Sequence, residues 1–267
     1  MYMYTKSDHT FVVCAYKESP YLEECLQSIT SQEVQSNVLI STSTPNDYIC
    51  ALAQKYDVPL FENGSAPGIG SDWNAAISHA TTPLVTIAHQ DDTYDASYVR
   101  CMLELVNKAQ TPLIYFTNYG EIRNGMKVDK NQLLNVKRKM LAPLKDGKKM
   151  GSKFVRRRIL SFGSAICCPS VTMCIPNIDH PVFLTDMKCN LDWQAWERAS
   201  RLEGDFLYDS RILMHHRIHE ESETTNLIHD NTRSREDLEM YKKFWPAPFA
   251  HALCKVYSIS QNSNSKK

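Results

Sequence analysis

The chain has 267 residues, 43% of them hydrophobic and 22% charged, with 30 Lys+Arg against 30 Asp+Glu. That is enough apolar sequence for a sizeable α/β core, and zero net charge argues against a protein that coats nucleic acid through bulk positive charge. No apolar run approaches the roughly 18 residues of a membrane span, the opening MYMYTKSDHT lacks the apolar stretch of a secretory signal, and nine cysteines without such a signal point to reduced thiols in a cytoplasm.

Taken in chain order, the first 120 residues alternate short apolar runs with helical periodicity, the pattern of a mostly parallel α/β sheet. Thr10–Ala15 reads as the first strand. Ser19 and Pro20 read as an N-cap and first helical position, with Leu22, Cys25, Leu26 and Ile29 on one apolar face. Asn37–Thr42 is the second strand, followed by a helix capped by Asp47 and running to about Tyr56. Pro59–Glu62 is a short third strand, and Ser71 or Asp72 caps a helix carrying Trp73, Ala76, Ile77 and Ala80. Leu84–Ala88 is a fourth strand, Ala96–Ala109 a helix and Leu113–Thr117 a fifth strand.

The middle changes character. Lys137–Arg158 is strongly basic and thinly patterned, and it reads as a mobile segment with one short helix. Three readings stand for it: a solvated loop, a contact with anionic lipid headgroups through Lys145–Arg158, or a cover over a diphosphate. Beyond it come a helix at Leu191–Ser200, a strand at Asp205–Tyr208, and helices at Arg235–Phe244 and from Ala247. Ser234 and Asp237 have the spacing of a capping box. The tail QNSNSKK is expected to be disordered. No linker divides the chain cleanly.

Ligands of open α/β sheets bind beyond the carboxyl ends of the strands. Past the fourth strand lie His89, Gln90, Asp91 and Asp92. Adjacent acids there suit a hard cation, Mg²⁺ or Mn²⁺, or alternatively a turn that caps the next helix. Cys167, Cys168 and Cys174 lack the spacing of a zinc site. The segment GSAPGIGSDWN lacks GxGxxG, so a dinucleotide fingerprint is rejected.

The run FVVCAYKESPYLEECLQSITSQ, followed by NVLISTSTPND, GIGSDWNAAISHA, LVTIAHQDDTY, LDWQAWERAS and HHRIHEESETT, resembles glycosyltransferase family 2 over most of residues 10–226. The resemblance implies a GT-A fold: one Rossmann-like, mostly parallel sheet flanked by helices, with a helical C-terminal part. Residues 1–120 would form the nucleotide-sugar half, 121–233 the acceptor and catalytic half, and 234–267 the C-terminal helices and tail. It implies inverting sugar transfer from a nucleotide-sugar, a UDP-sugar by family habit, to a hydroxyl of a glycan or lipid-linked glycan, in the cytoplasm or at the inner membrane face.

By the same resemblance Asp91 falls at the second acid of Asp-x-Asp and is the metal ligand, joined by His219 and then His216. Asp192 is the general base, and Arg217 faces the diphosphate, where its planar fork suits phosphate. Donor contacts are expected from Ala15, Tyr16, Glu18, Thr42, Asp72, Asn74, His89 and Gln90. The sequence departs from the family at His89, Ser41, Thr42, Lys17 and Leu191, where acids or Asn are usual. These departures motivate a rival, a non-catalytic GT-A module that binds nucleotide or glycan. A nucleotidyltransferase is a further rival, but CAYKESPY is not its Gly-rich basic loop.

Overall fold

A computed structural model describes residues 3–64, 68–219 and 232–264. The strands are β1 (His9–Ala15), β2 (Asn37–Thr42), β3 (Leu60–Glu62), β4 (Leu84–His89), β5 (Thr93–Tyr94), β6 (Pro112–Arg123), β7 (Met126–Val128), β8 (Val171–Cys174) and β9 (Asp205–Ile218). The helices are α1 (Leu22–Thr30), α2 (Asp47–Lys55), α3 (Ile69–His79), α4 (Tyr98–Val106), α5 (Gln132–Leu141), α6 (Lys153–Leu160), α7 (Leu191–Ala199), α8 (Thr232–Lys242) and α9 (Ala247–Asn264). The strands form one sheet in the order β3-β2-β1-β4-β8-β6-β9-β5, with β7 paired to β6.

The sheet is parallel through β3, β2, β1 and β4, and parallel again where β6 meets β9. β8 runs antiparallel between β4 and β6. Phe11, Val12 and Val13 are fully buried because β1 lies inside the sheet with helices on both faces. The expected apolar faces are buried at Leu22, Cys25, Leu26 and Ile29 on α1 and at Trp73, Ala76 and Ile77 on α3, whereas Ala80 follows the helix end and is only half-buried.

Several element ends differ from the sequence reading. Pro20 and Tyr21 form a turn, so α1 starts at Leu22, while the Ser19 hydroxyl accepts from the Tyr21 amide at 3.3 Å. Asn46, not Asp47, caps α2 by accepting from the Ile49 amide at 3.0 Å. Gly68, with a φ of 112°, leads into α3, so Ser71 and Asp72 sit inside the helix. The fifth expected strand is twelve residues long, because polar Asn118 and Glu121 keep pairing with β9 as it continues to Ile218. Ser234 and Asp237 lie inside α8, and Asp237 bonds to another element instead of forming a capping box. α9 runs through Asn264, which takes in the first part of the tail expected to be disordered; residues 265–267 lie outside the described residues.

The largest correction concerns the basic middle. It folds into α5, a short 3-10 turn at Ala142–Leu144, and α6. Its α6 arginines are engaged within the protein, while Lys139, Lys145, Lys148 and Lys149 stay exposed. Arg156 is fully buried and donates to the carbonyls of Leu202, at 2.6 Å, and Gly204. Arg157 pairs with Glu197 at 2.6 Å and donates to the Lys243 carbonyl at 3.0 Å. Arg158 lies 4.1 Å from the centroid of the Phe162 ring. Guanidinium groups that satisfy carbonyls and carboxylates can be buried where free charges cannot. Among the described residues no helix is long and apolar enough to cross a membrane.

Candidate active site

The site forms where β4 and β9 end. The short strand β5 pairs Thr93 with His215 and Tyr94 with Met214, and so carries the turn after β4 against the end of β9. Asp91 and Asp92 therefore meet His216, Arg217 and His219, more than 120 positions away in the chain.

The two acids have different roles. Asp92 is fully buried; its Oδ1 accepts from His216 Nδ1 at 2.9 Å and from the Arg217 amide at 2.9 Å. Asp91 is less buried, and its Oδ2 accepts from His219 Nε2 at 2.8 Å. Burial alone would raise the Asp91 pKa, but His216, His89 and the bond from His219 outweigh it and hold the carboxyl below its ordinary range. Burial works against the charged form of His216 as well. The Asp92 carboxylate and its hydrogen bond, helped by Asp91, reverse that effect and raise the imidazole to about 9.

His89, Asp91 and Asp92 each offer a ligand atom, all within 4.8 Å of one another. Two buried atoms in this group, His89 Nε2 and Asp92 Oδ2, have no hydrogen-bond partner. Carboxylate oxygens with an imidazole nitrogen are suitable donors for Mn²⁺ or Mg²⁺. This set shares only Asp91 with the expected ligands: it adds His89 and Asp92, and it includes neither His216 nor His219. The His89 ring stacks on Trp73 with centroids 5.2 Å apart, which fixes its orientation.

Arg217 is engaged within the protein. Its Nε donates to the Asp91 carbonyl at 2.9 Å, its Nη2 to the Glu24 carboxylate, and its guanidinium lies 4.3 Å from the Tyr21 ring centroid. Glu24 and Tyr21 were not singled out from the sequence. Both lie at the start of α1, and only the topology brings them to β9.

Asp192 lies in the first turn of α7 and accepts from the Trp193 amide at 2.7 Å. Burial raises its pKa, against opposing effects of the Trp193 amide, Lys137, Arg233 and His89. His89 is the smallest of these influences. Lys137 comes from the basic segment, and its ammonium also donates to the Tyr119 hydroxyl at 2.9 Å. Two other carboxylates nearby are committed elsewhere. Glu197 bridges Arg157 and Arg201, at 2.6 and 2.7 Å, and Asp186 accepts from Gln194 at 3.2 Å.

Several of the expected donor residues hold backbone or one another. Gln90 clamps Tyr16, accepting from its amide at 2.9 Å and donating to its carbonyl at 3.0 Å. Asn74 does the same to Phe183, at 3.1 and 2.7 Å. Asp72 accepts from Ser43 at 2.9 Å and from Asn63 at 3.2 Å. Thr42 is buried, and its hydroxyl accepts from the Thr44 amide at 3.1 Å. Ala15 is buried at the end of β1, while Tyr16 and Glu18 are exposed just beyond it. The part of HHRIHEESETT after His219 lies outside the described residues.

The family model for glycosyl transferase family 2 matches residues 10–178. The chain belongs to this family and is a glycosyltransferase with a GT-A fold. No curated protein matches it. Solved structures with the same fold include residues 1–349 of TarS from S. aureus, at 12% identity and a TM-score of 0.61, covering 92% of this chain and 69% of that one. TarS 1–349 in complex with UDP-GlcNAc aligns with a TM-score of 0.58 at 13% identity, covering 92% of this chain and 70% of that one. The mannosyltransferase PcManGT from Pyrobaculum calidifontis, in complex with GDP-Man and Mn²⁺, aligns at 16% identity with a TM-score of 0.61, covering 96% and 70%.

Proposed function

We propose that the protein is an inverting, metal-assisted transferase that moves a sugar from a UDP-sugar to a hydroxyl of a glycan or lipid-linked glycan. The observation that carries this is the convergence of Asp91 and His219, at 2.8 Å, just beyond the carboxyl end of β4. Similar folds solved with UDP-GlcNAc, or with GDP-Man and Mn²⁺, support the donor class.

In this reading residues 1–120 hold the donor along the carboxyl edge of β1, β2 and β4. Residues 121–233 face the acceptor, and residues 234–267 brace the acceptor side. Asp91 and His219 are the metal ligands, with His89 from the same cluster. A divalent cation there would offset the charge that develops on the departing diphosphate. Asp192 takes the proton from the acceptor hydroxyl, whose oxygen attacks the anomeric carbon on the face opposite the leaving group. Its raised pKa makes it a stronger base than an exposed carboxylate. Asp92 keeps His216 oriented beneath this cluster.

A second reading, a binding module without turnover, is favoured by one observation: Arg217 is already held by Glu24 and the Asp91 carbonyl. One experiment separates the two. UDP-glucose, UDP-GlcNAc and GDP-mannose are titrated with and without Mn²⁺ while nucleoside diphosphate release is followed. Mn²⁺-dependent release supports the transferase. Tight binding without release in the presence of glycan acceptors supports the module.

A further inference from the structure

Helix α7 begins in an unusual way. Asn190 stands at its N-cap, where an Asn side chain ordinarily accepts from its own first turn, yet it makes no such bond. Its Nδ2 instead donates 2.8 Å away to Asp237 on α8. The amides leading into the helix also turn to α8. Glu236 accepts from Lys188 at 2.8 Å through one oxygen, and from Cys189 at 2.8 Å and Asn190 at 3.1 Å through the other. Glu236 and Asp237 are 3% and 2% exposed, so these bonds form away from water. A buried carboxylate that collects three amides is strongly directional, because each lost bond leaves a desolvated group behind.

The segment held in this way ends two residues before Asp192. We propose that Glu236, aided by Asp237, is a positioning residue that sets where the Asp192 carboxyl lies. The proposal rests on the reading of Asp192 as the base. Packing around the clamp is consistent with a rigid mount: Trp193 meets Tyr241 of α8 edge-on at 5.2 Å, and its indole donates to the Leu160 carbonyl at 2.9 Å. The base is thereby held on one side by the core and on the other by a helix that contributes no donor contact. The charged groups that act on Asp192 come from three further elements: Lys137 on α5, Arg233 on α8 and His89 on β4.

The test compares Glu236→Gln with Met240→Ala, a fully buried core residue of the same helix that makes none of these bonds. Three readouts are taken well below the melting temperatures: amide exchange at residues 188–190, the titration midpoint of the Asp192 carboxyl carbon, and nucleoside diphosphate release from UDP-glucose, UDP-GlcNAc and GDP-mannose with water as acceptor. Glu236→Gln keeps the shape but turns an amide NH₂ toward N–H donors. It should speed exchange and slow release by roughly 10- to 100-fold, the effect of losing a charge-assisted bond, with donor affinity within about twofold. The Asp192 midpoint should fall toward the ordinary carboxylate value as the group gains water. Met240→Ala should lower the melting temperature and leave the midpoint and release rate unchanged. A Glu236→Gln protein that melts lower but keeps the wild-type midpoint and release overturns the proposal. If Glu236→Gln does not fold, Asp237→Asn is judged by the same readouts with a smaller expected effect. Asp192→Asn separates the two claims: full release in that variant overturns the base reading, whereas an unmoved midpoint in Glu236→Gln overturns only the clamp.

Discussion

At the carboxyl ends of β1, β2 and β3 the polar side chains bond to backbone and to one another, whereas at the ends of β4 and β9 they couple charge to charge. Gln90 on Tyr16, Asp72 with Ser43 and Asn63, and Thr42 on Thr44 make the first edge a hydrogen-bonded frame. Asp91, Asp92, His216 and His219 make the second a set of coupled ionisable groups, with Asp91 pushed down and His216 pushed up. A hydrogen-bonded frame fixes shape. A coupled cluster responds to protons and cations, as a centre that neutralises a departing diphosphate must. In the proposed reading the first edge sets shape and the second carries the chemistry.

The largest effect is expected at Asp192. Asp192→Asn keeps the shape of the side chain and removes the proton acceptor. Transfer should fall by roughly 10²–10⁴-fold, as for the loss of a general base, while donor affinity survives. Stability at neutral pH should hold or rise slightly, since a carboxyl with a raised pKa opposes folding once it is ionised. A marked fall in melting temperature would make Asp192 structural.

Next come the paired acids. Asp92→Ala strands His216 and the Arg217 amide in a buried site, and breaking such a pair costs about 3–5 kcal/mol. A large drop in melting temperature is expected. Asp91→Asn should melt close to wild type and lose Mn²⁺-dependent donor binding, measured by calorimetry. The reverse outcome, with Asp92→Asn losing metal and Asp91→Asn keeping it, would shift the metal ligand by one residue.

Much of the shape-forming edge was legible in the sequence. Short apolar runs mark β1, β2 and β4, and helical spacing marks the buried face of α1 and, apart from Ala80, that of α3. The strand-end position flags Asp91 together with Asp92, motif order separates Asp91 from its neighbour and points to Asp192 and His219, and the structure brings Asp91 and His219 together. What escaped depends on distant partners. β5 has two residues and exists only because β9 pairs with it. The arginines of α6 look like a solvated run until Leu202, Gly204 and Glu197 are placed beside them. Glu236 has no local signal, because its three donors lie more than forty positions upstream.

Proton linkage offers a sharper cut between the two edges. His216 is raised in the folded protein to about 9 from an ordinary 6.5. A raised histidine binds its proton more tightly when folded, so its contribution is full below 6.5 and is lost as pH rises through about 9. Asp91 runs the other way: its contribution is present above the ordinary carboxylate range and is lost as pH falls through its lowered value. With EDTA present, melting temperature should decline between pH 6.5 and 9 in wild type and less in His216→Gln. Equal slopes would mean that the Asp92–His216 pair does not carry charge. Mn²⁺ affinity should rise over the same window, because a cation and a proton compete for this cluster.

The smallest effect tests the frame. Gln90→Ala removes both bonds that clamp the Tyr16 backbone, at 2.9 and 3.0 Å. These bonds are exposed, and water can replace them, so the loss should be near the low end of about 0.5–1.5 kcal/mol per bond. A fall of roughly 2–4 °C in melting temperature is expected, with no change in its pH dependence, because no ionisable group is removed. Tyr16 is half exposed at the mouth of the donor edge, and Lys17 beside it holds a left-handed φ of 54°. Releasing the clamp lets this strained turn relax, and donor affinity should weaken several-fold while turnover at saturating donor stays near wild type. That split is the signature of a residue that shapes the ground-state site. If turnover fell and affinity held, Gln90 would act on the reacting centre, and the division between a shape edge and a chemistry edge would fail at the residue that joins them, one position before Asp91.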